Sequence, residues 1–150
     1  RCCSSAASDV YKRQSIDDPD VILPFIGSFA LKFEQKHEPI TGGDYRLEKI
    51  IENFVSGSKE KLDYYDLLDD YFELYEGEEH KLGGYPFFTQ DDPRMNFDET
   101  IEPYELLFQM ISDDDADIIW GDMGVGNFFI QPSALRNLDF SQVIYSYDCS

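Results

Sequence analysis

Cysteine is scarce in this chain: three residues in 150, at Cys2, Cys3 and Cys149. Adjacent Cys2 and Cys3 make a poor disulfide framework, and no C-x-x-C spacing offers a metal knuckle. That pattern favours a reducing compartment, with the cytoplasm as the expected location. Histidine is scarcer, His37 and His80 being the only two, and no serine sits in a G-x-S-x-G elbow. Bases are outnumbered, 12 against 31 acids, for a formal net charge of −19. Such a surface repels nucleic-acid phosphate and anionic membrane, and it attracts basic proteins or cations. No apolar run approaches the ~20 residues of a membrane span. Nucleic acid and membrane are therefore not expected partners, and composition leaves the oligomeric state open.

What the chain does have is apolar bulk. At 42% hydrophobic and 15% aromatic residues it reads as globular, and its length suits one domain with a real core. The first fourteen residues, RCCSSAASDVYKRQ, show no apolar periodicity and resemble translated adapter sequence. They are set apart as a non-native leader, leaving residues 15–150 as a single domain.

Along the domain, Pro19, Pro24 and Gly27 mark a loop. Phe29 to Glu34 alternates apolar and polar residues, the pattern of a half-buried strand. Asp44 is placed to cap a helix with Leu47, Ile50, Ile51 and Phe54 on one face, closed by Gly57. A second helix is expected from about Lys59 to Glu76. Its apolar side carries Leu62, Tyr65, Leu68 and Phe72, and its acids include Glu60, Asp63, Asp66, Asp69, Asp70 and Glu73. Acids three or four apart on a helix repel by a few tenths of a kcal/mol per pair (about 0.2–0.5). They are either a solvated face or a docking face for a basic protein.

The rest is β-rich. Tyr104 to Ile111 reads as a nearly continuous apolar strand, Ser112 to Asp115 as a polar turn, Pro132 as the start of a short helix, and Val143 to Tyr147 as a last strand. The stretch ADIIWGDMGVGNFFIQ, residues 116–131, reads as strand, glycine turn, strand. Ile118–Trp120 and Asn127–Ile130 are its arms, and Trp120, Phe128 and Phe129 its buried keel. Consecutive short strands with tight connections predict an antiparallel β-meander with two helices packed against it, an α+β fold.

Four blocks carry a resemblance: HKLGGYPFFTQDDPR (80–94), LLFQM with its acidic turn (106–115), IIWGDMGVGNFFI (118–130) and LDFSQVIYSYDC (138–149). Their order and spacing resemble the YwqG-like family of uncharacterised proteins. FALKFEQKHEPITGGDYRLE also resembles that family's middle region, so the likeness covers residues 25–149. It implies an α+β fold with no established reaction and no cofactor. Family members usually carry another half upstream, which implies that this domain is incomplete, the C-terminal part of a longer one. Tyr147 stands where tryptophan is usual. Members near toxin–immunity loci imply at most a protein-binding or immunity-like role.

Candidate chemistry is thin. Gly121, Gly124 and Gly126 precede a strand rather than a helix N-terminus, and Asp122 among them repels phosphate, so a hairpin turn is the simpler reading. Asp113, Asp114, Asp115 and Asp117 supply hard oxygens but lack the central glycine and twelfth-position glutamate of a calcium loop, so no metal site is assigned. His80 before Lys81 reads as structural, and Cys149 as a buried inert thiol. Asn127 is the most informative polar residue. It is expected to bond backbone in the glycine turn or the Gly83-Gly84-Tyr85-Pro86 loop. If those loops converge, Gln90, Gln109, Asp122 and Asn127 line a small polar pocket. The leading expectation is a non-enzymatic binding module whose acids at Asp63, Asp66, Asp69, Asp70 and Glu73 meet a basic protein. A hydrolase or small-molecule binder using the pocket near Asp122 and Asn127 is the alternative, and a cation-dependent fold is a third.

Overall fold

Five of the six residues of Val125–Ile130 are buried, the signature of a strand covered on both faces. The computed structural model places this strand, β3, inside a four-stranded antiparallel sheet. It describes residues 24–59, 62–98 and 100–149. The expected leader, with Cys2 and Cys3, lies outside the described residues. The other strands are β1 (Lys81–Leu82), β2 (Glu105–Ile111) and β4 (Ile144–Asp148), in the order β1-β2-β3-β4. The helices are α1 (Leu47–Gly57), α2 (Tyr64–Leu74) and the short α3 (Pro132–Arg136). An α+β chain with an antiparallel meander is thus what the apolar runs produce.

One face of the sheet carries the compact core, in which Phe88, Leu106 and Phe129 cluster with Tyr104 beside them. The Phe88 and Phe129 rings stack at 6.2 Å. On the other face Trp120, 7% exposed, lies against Gly126, where an added Cβ would come within 2.5 Å of its ring. Tyr145 and Tyr147 flank that indole at 5.9 and 6.4 Å. Gly126 is therefore needed for close approach. Among the three glycines of the turn, only Gly121 takes the left-handed backbone, at φ +60°.

The expected hairpin around that turn does not form. Ile118 makes one isolated bridge to Asp113, and β3 pairs with β2 and β4 instead. The physical reason is local. Asp117, Gly121 and Met123 all have positive φ, so Ile118–Trp120 is too short an extended run to ladder. The Ile119 N–H turns outward to the Pro24 carbonyl at 2.7 Å. Trp120 is a keel without being in a strand.

Residues 29–34, read as a half-buried strand, are also unpaired and exposed. Among the described residues no strand pairs with them, so alternation alone does not make them β.

Helix α1 buries Leu47 and Ile51 but leaves Ile50 and Phe54 more than half exposed. Arg46, not Asp44, occupies its N-cap, because the Asp44 carboxylate is turned inward. Helix α2 begins later than its apolar pattern predicts. Asp63 caps it by accepting the Tyr65 and Asp66 N–H groups at 2.9 and 3.3 Å. No residue of α2 is buried, and Tyr65 and Phe72 of its expected inner face are exposed. It is tied down instead by Tyr71 Oη donating to the Ile40 carbonyl and by Gly42 N–H donating to the Tyr75 carbonyl.

Gly126→Ala forces a methyl group into the Trp120 ring and is expected to cost about 1–3 kcal/mol, as overpacking does. Urea unfolding followed by the single tryptophan measures it; an unchanged midpoint would show that the ring is free to move away.

Candidate functional site

A loop outside regular structure must still satisfy its peptide groups. Residues 85–94 run across the core face of the sheet, and side chains from beneath do this work. Gln109 on β2 and Asn127 on β3 are cross-strand partners, and both are buried, at 0% and 1% exposure. They grip one residue from both sides: Gln109 Oε1 accepts from Phe87 N–H at 2.6 Å, and Asn127 Nδ2 donates to the Phe87 carbonyl at 2.9 Å. Gln109 Nε2 also donates to the carbonyls of Gly77 and Glu79. At the end of β4, the Asp148 carboxylate accepts from the N–H groups of Thr89 and Gln90, each at 3.0 Å. Gln90 Nε2 donates to the Cys149 carbonyl at 2.8 Å.

Three of the four pocket candidates thus gather at the same loop, Gln90 on it and Gln109 and Asn127 beneath it, each with its side-chain amide donating to backbone. Asp122 does not join them. It is exposed in the turn after Trp120, between two positive-φ residues, Gly121 and Met123. The buried Asn127 Oδ1 has no hydrogen-bond partner among the described residues.

The principal charged cluster went unread. Arg94, buried, donates to Asp92 and Asp44 at 2.7 and 2.8 Å and to the Tyr104 carbonyl at 3.1 Å. Its guanidinium also lies 5.0 Å from the ring centres of both Tyr45 and Phe129. Arg46 completes the group, holding Asp44 at 2.7 Å and Glu105 at 3.0 Å. Burial pushes the Asp44 carboxyl up, but Arg46 and Arg94 outweigh that and hold it below its ordinary value. Burial likewise pulls Arg94 down while Asp92 and Asp44 raise it further. The signal was present as a repeated D-x-R: Asp44-Tyr45-Arg46 and Asp92-Pro93-Arg94. Short local pairs of that kind fix each arginine against its own aspartate and free its other N–H groups to reach across.

Histidine and the acidic turn are also structural. His80 Nδ1 accepts from Ile111 N–H at 3.2 Å, so the other nitrogen carries the proton and faces Asp113 Oδ2 at 3.3 Å. Asp113 in turn caps the N–H groups of Asp115 and Ala116. Among the described residues, no group of three or more His, Cys, Asp or Glu is placed to hold a metal ion. Cys149 is disulfide-bonded, which replaces the inert-thiol reading and removes the argument for a reducing compartment. No helix is long and apolar enough to cross a membrane among the described residues.

On α2, Asp66, Asp69, Asp70 and Glu73 are exposed, and none enters an ion pair among the described residues. Asp63, grouped with them from sequence, is committed to its cap.

This arrangement of sheet, overlying loop and buried arginine is carried by a chain that belongs to the DUF1963 family, a domain of unknown function, whose family model matches residues 5–149. No curated protein matches it.

Two outcomes test the layer. Arg94→Met leaves buried Asp92 without its cation and Asp44 with Arg46 alone, and should cost about 3–5 kcal/mol, whereas apolar replacement of Arg94, Asp44 and Asp92 together should cost less. Denaturant midpoints decide between them, and equal losses would refute the pairing. Asp148 behaves oppositely to Asp44, since burial raises its carboxyl above the ordinary 3.8 and the Gln90 and Thr89 N–H groups only partly offset this. A carboxyl raised in the fold contributes stability below its ordinary value and loses that contribution as pH climbs through the raised one. Asp148→Asn, which keeps an acceptor for both N–H groups, should therefore melt at or above the parent at about pH 7. That advantage should vanish at about pH 3, where the parent carboxyl is protonated. Thermal melts of the two proteins side by side provide the check.

Proposed function

We propose that this protein is a non-enzymatic binding module of the YwqG-like type whose α2 face docks a basic protein. A toxin is the partner class that the resemblance implies. The observation that carries the reading is the state of Asp66, Asp69, Asp70 and Glu73: exposed, and without a cation among the described residues. Tyr65, 73% exposed, and Leu74, 71% exposed, stand on the same helix. Apolar anchors beside unneutralised carboxylates suit a partner with both basic and apolar side chains.

The opposite treatment of the inner polar groups supports a binding role over a hydrolytic one. Gln109 and Asn127 bond the overlying loop at Phe87, and Gln90 of that loop bonds the Cys149 carbonyl. Asp122 stands apart in solvent. A general base and a nucleophile within reach of one substrate atom need polar groups that are free and convergent.

Affinity capture from the source organism, followed by quantitative binding of the recovered partner, tests the reading. Reversing Asp66, Asp69, Asp70 and Glu73 to lysine should weaken the complex by roughly tenfold or more and flatten its salt dependence. Unchanged affinity and salt response would rule this face out.

A further inference from the structure

The alternating segment that sequence reads as a strand pairs with no strand among the described residues, yet side chains tether it. At one end Lys36 pairs with Glu79 at 2.8 Å, and Glu38 accepts from Lys81 Nζ and Tyr85 N–H at 2.8 and 3.0 Å. At the other end the Pro24 carbonyl accepts from Ile119 N–H at 2.7 Å, and Phe29 packs edge-on against the neighbouring Phe25 at 5.8 Å. Between these anchors Leu31 and Phe33 are 63% and 66% exposed. With Leu82 and Phe108 they line a cleft of about 370 Å³ beside the sheet's edge strand. No peptide group from residue 25 to 40 enters a backbone–backbone hydrogen bond among the described residues. A segment tethered at both ends, whose peptide groups enter no backbone–backbone bond among the described residues, is a template for strand pairing. Much of its ordering entropy is already spent.

Its charges indicate what pairs with it. In a chain of net charge −19, this segment alternates sign evenly, as Lys32, Glu34, Lys36 and Glu38. A purely basic or purely acidic peptide would meet repulsion at every second polar position. An antiparallel copy of the segment itself would not, provided the register is centred on Phe33. Lys32 then faces Glu34 of the second copy, and Glu34 faces its Lys32. Phe33 stacks on Phe33, and Leu31 of each chain lies diagonally beside it. Shifting the centre by one residue sets Lys32 against Lys32. Centring on Gln35 would call on Lys36 and Glu38, which Glu79 and Lys81 already hold, so the free charges select Phe33.

We propose that residues 29–37 form an isologous antiparallel ribbon with the same segment of a second chain, centred on Phe33 and closed by two Lys32–Glu34 pairs. The two-fold axis makes the contact self-limiting, giving a dimer and not a filament.

Sedimentation velocity of the full chain, from micromolar to ~1 mM, tests this. The parent should show a reversible monomer–dimer equilibrium. Lys32→Glu creates two like-charge pairs and should weaken it about tenfold, and the swap Lys32→Glu with Glu34→Lys should restore it. Phe33→Ser should leave a monomer. All these side chains are exposed, so circular dichroism of each variant should match the parent. A monomer at every concentration overturns the proposal, as does a dimer indifferent to Lys32→Glu or not rescued by the swap.

Discussion

Peptide groups shut away from water must find partners, and the loop over residues 85–94 finds them in side chains rather than in a ladder. Each of the three long strands contributes one: Gln109 from β2, Asn127 from β3 and Asp148 from β4. A buried amide or carboxylate is costly unless bonded, and a buried peptide group equally so, so each cost offsets the other. The loop can then serve as the second layer of the core, setting Phe88 onto Phe129 and Leu106. No helix covers that position. An irregular chain substitutes for one, and the polar residues in the strands are what make the substitution stable.

The same logic governs charge. Acids on the inner side are answered one by one. Asp44 and Asp92 close on Arg94, Asp44 and Glu105 on Arg46, and Glu38 on Lys81. Such pairs stabilise little against apolar packing but fix the geometry, since any other arrangement strands a buried charge. Acids on α2 are left in water. The contrast divides the molecule into an inward set that builds the fold and an outward set available to a partner. Among the inward groups, most polar atoms are occupied, Asn127 Oδ1 and Asp148 Oδ1 being exceptions. Among the outward ones, apolar side chains stand beside free carboxylates.

Legibility followed distance along the chain. Strands β2, β3 and β4 and helix α3 came from short apolar runs bounded by turn residues, which local pattern decides. Asn127 stood out as an amide among apolar neighbours, where burial forces it to bond, whereas Gln109 entered only as a pocket candidate. The Arg94 cluster did not stand out as a cluster. Its two D-x-R pairs lie far apart in sequence, and only the packing of the 85–94 loop against the start of α1 joins them. Ile118–Trp120 failed as a strand because positive backbone angles at Asp117, Gly121 and Met123 cannot be read from side-chain hydropathy. Asp122 failed as a pocket residue for the same reason, being carried outward by that turn.

By itself, then, the sequence determined that the chain would bury a meander of aromatic strands and keep an acidic surface. Both follow from hydrophobicity and net charge, which need no knowledge of neighbours. Tertiary structure decided which polar residues would be consumed as scaffold and which alternating segment would pair. A strand is a relation between two segments, and the worth of a buried charge depends on what lies opposite. Neither is a property of any stretch alone.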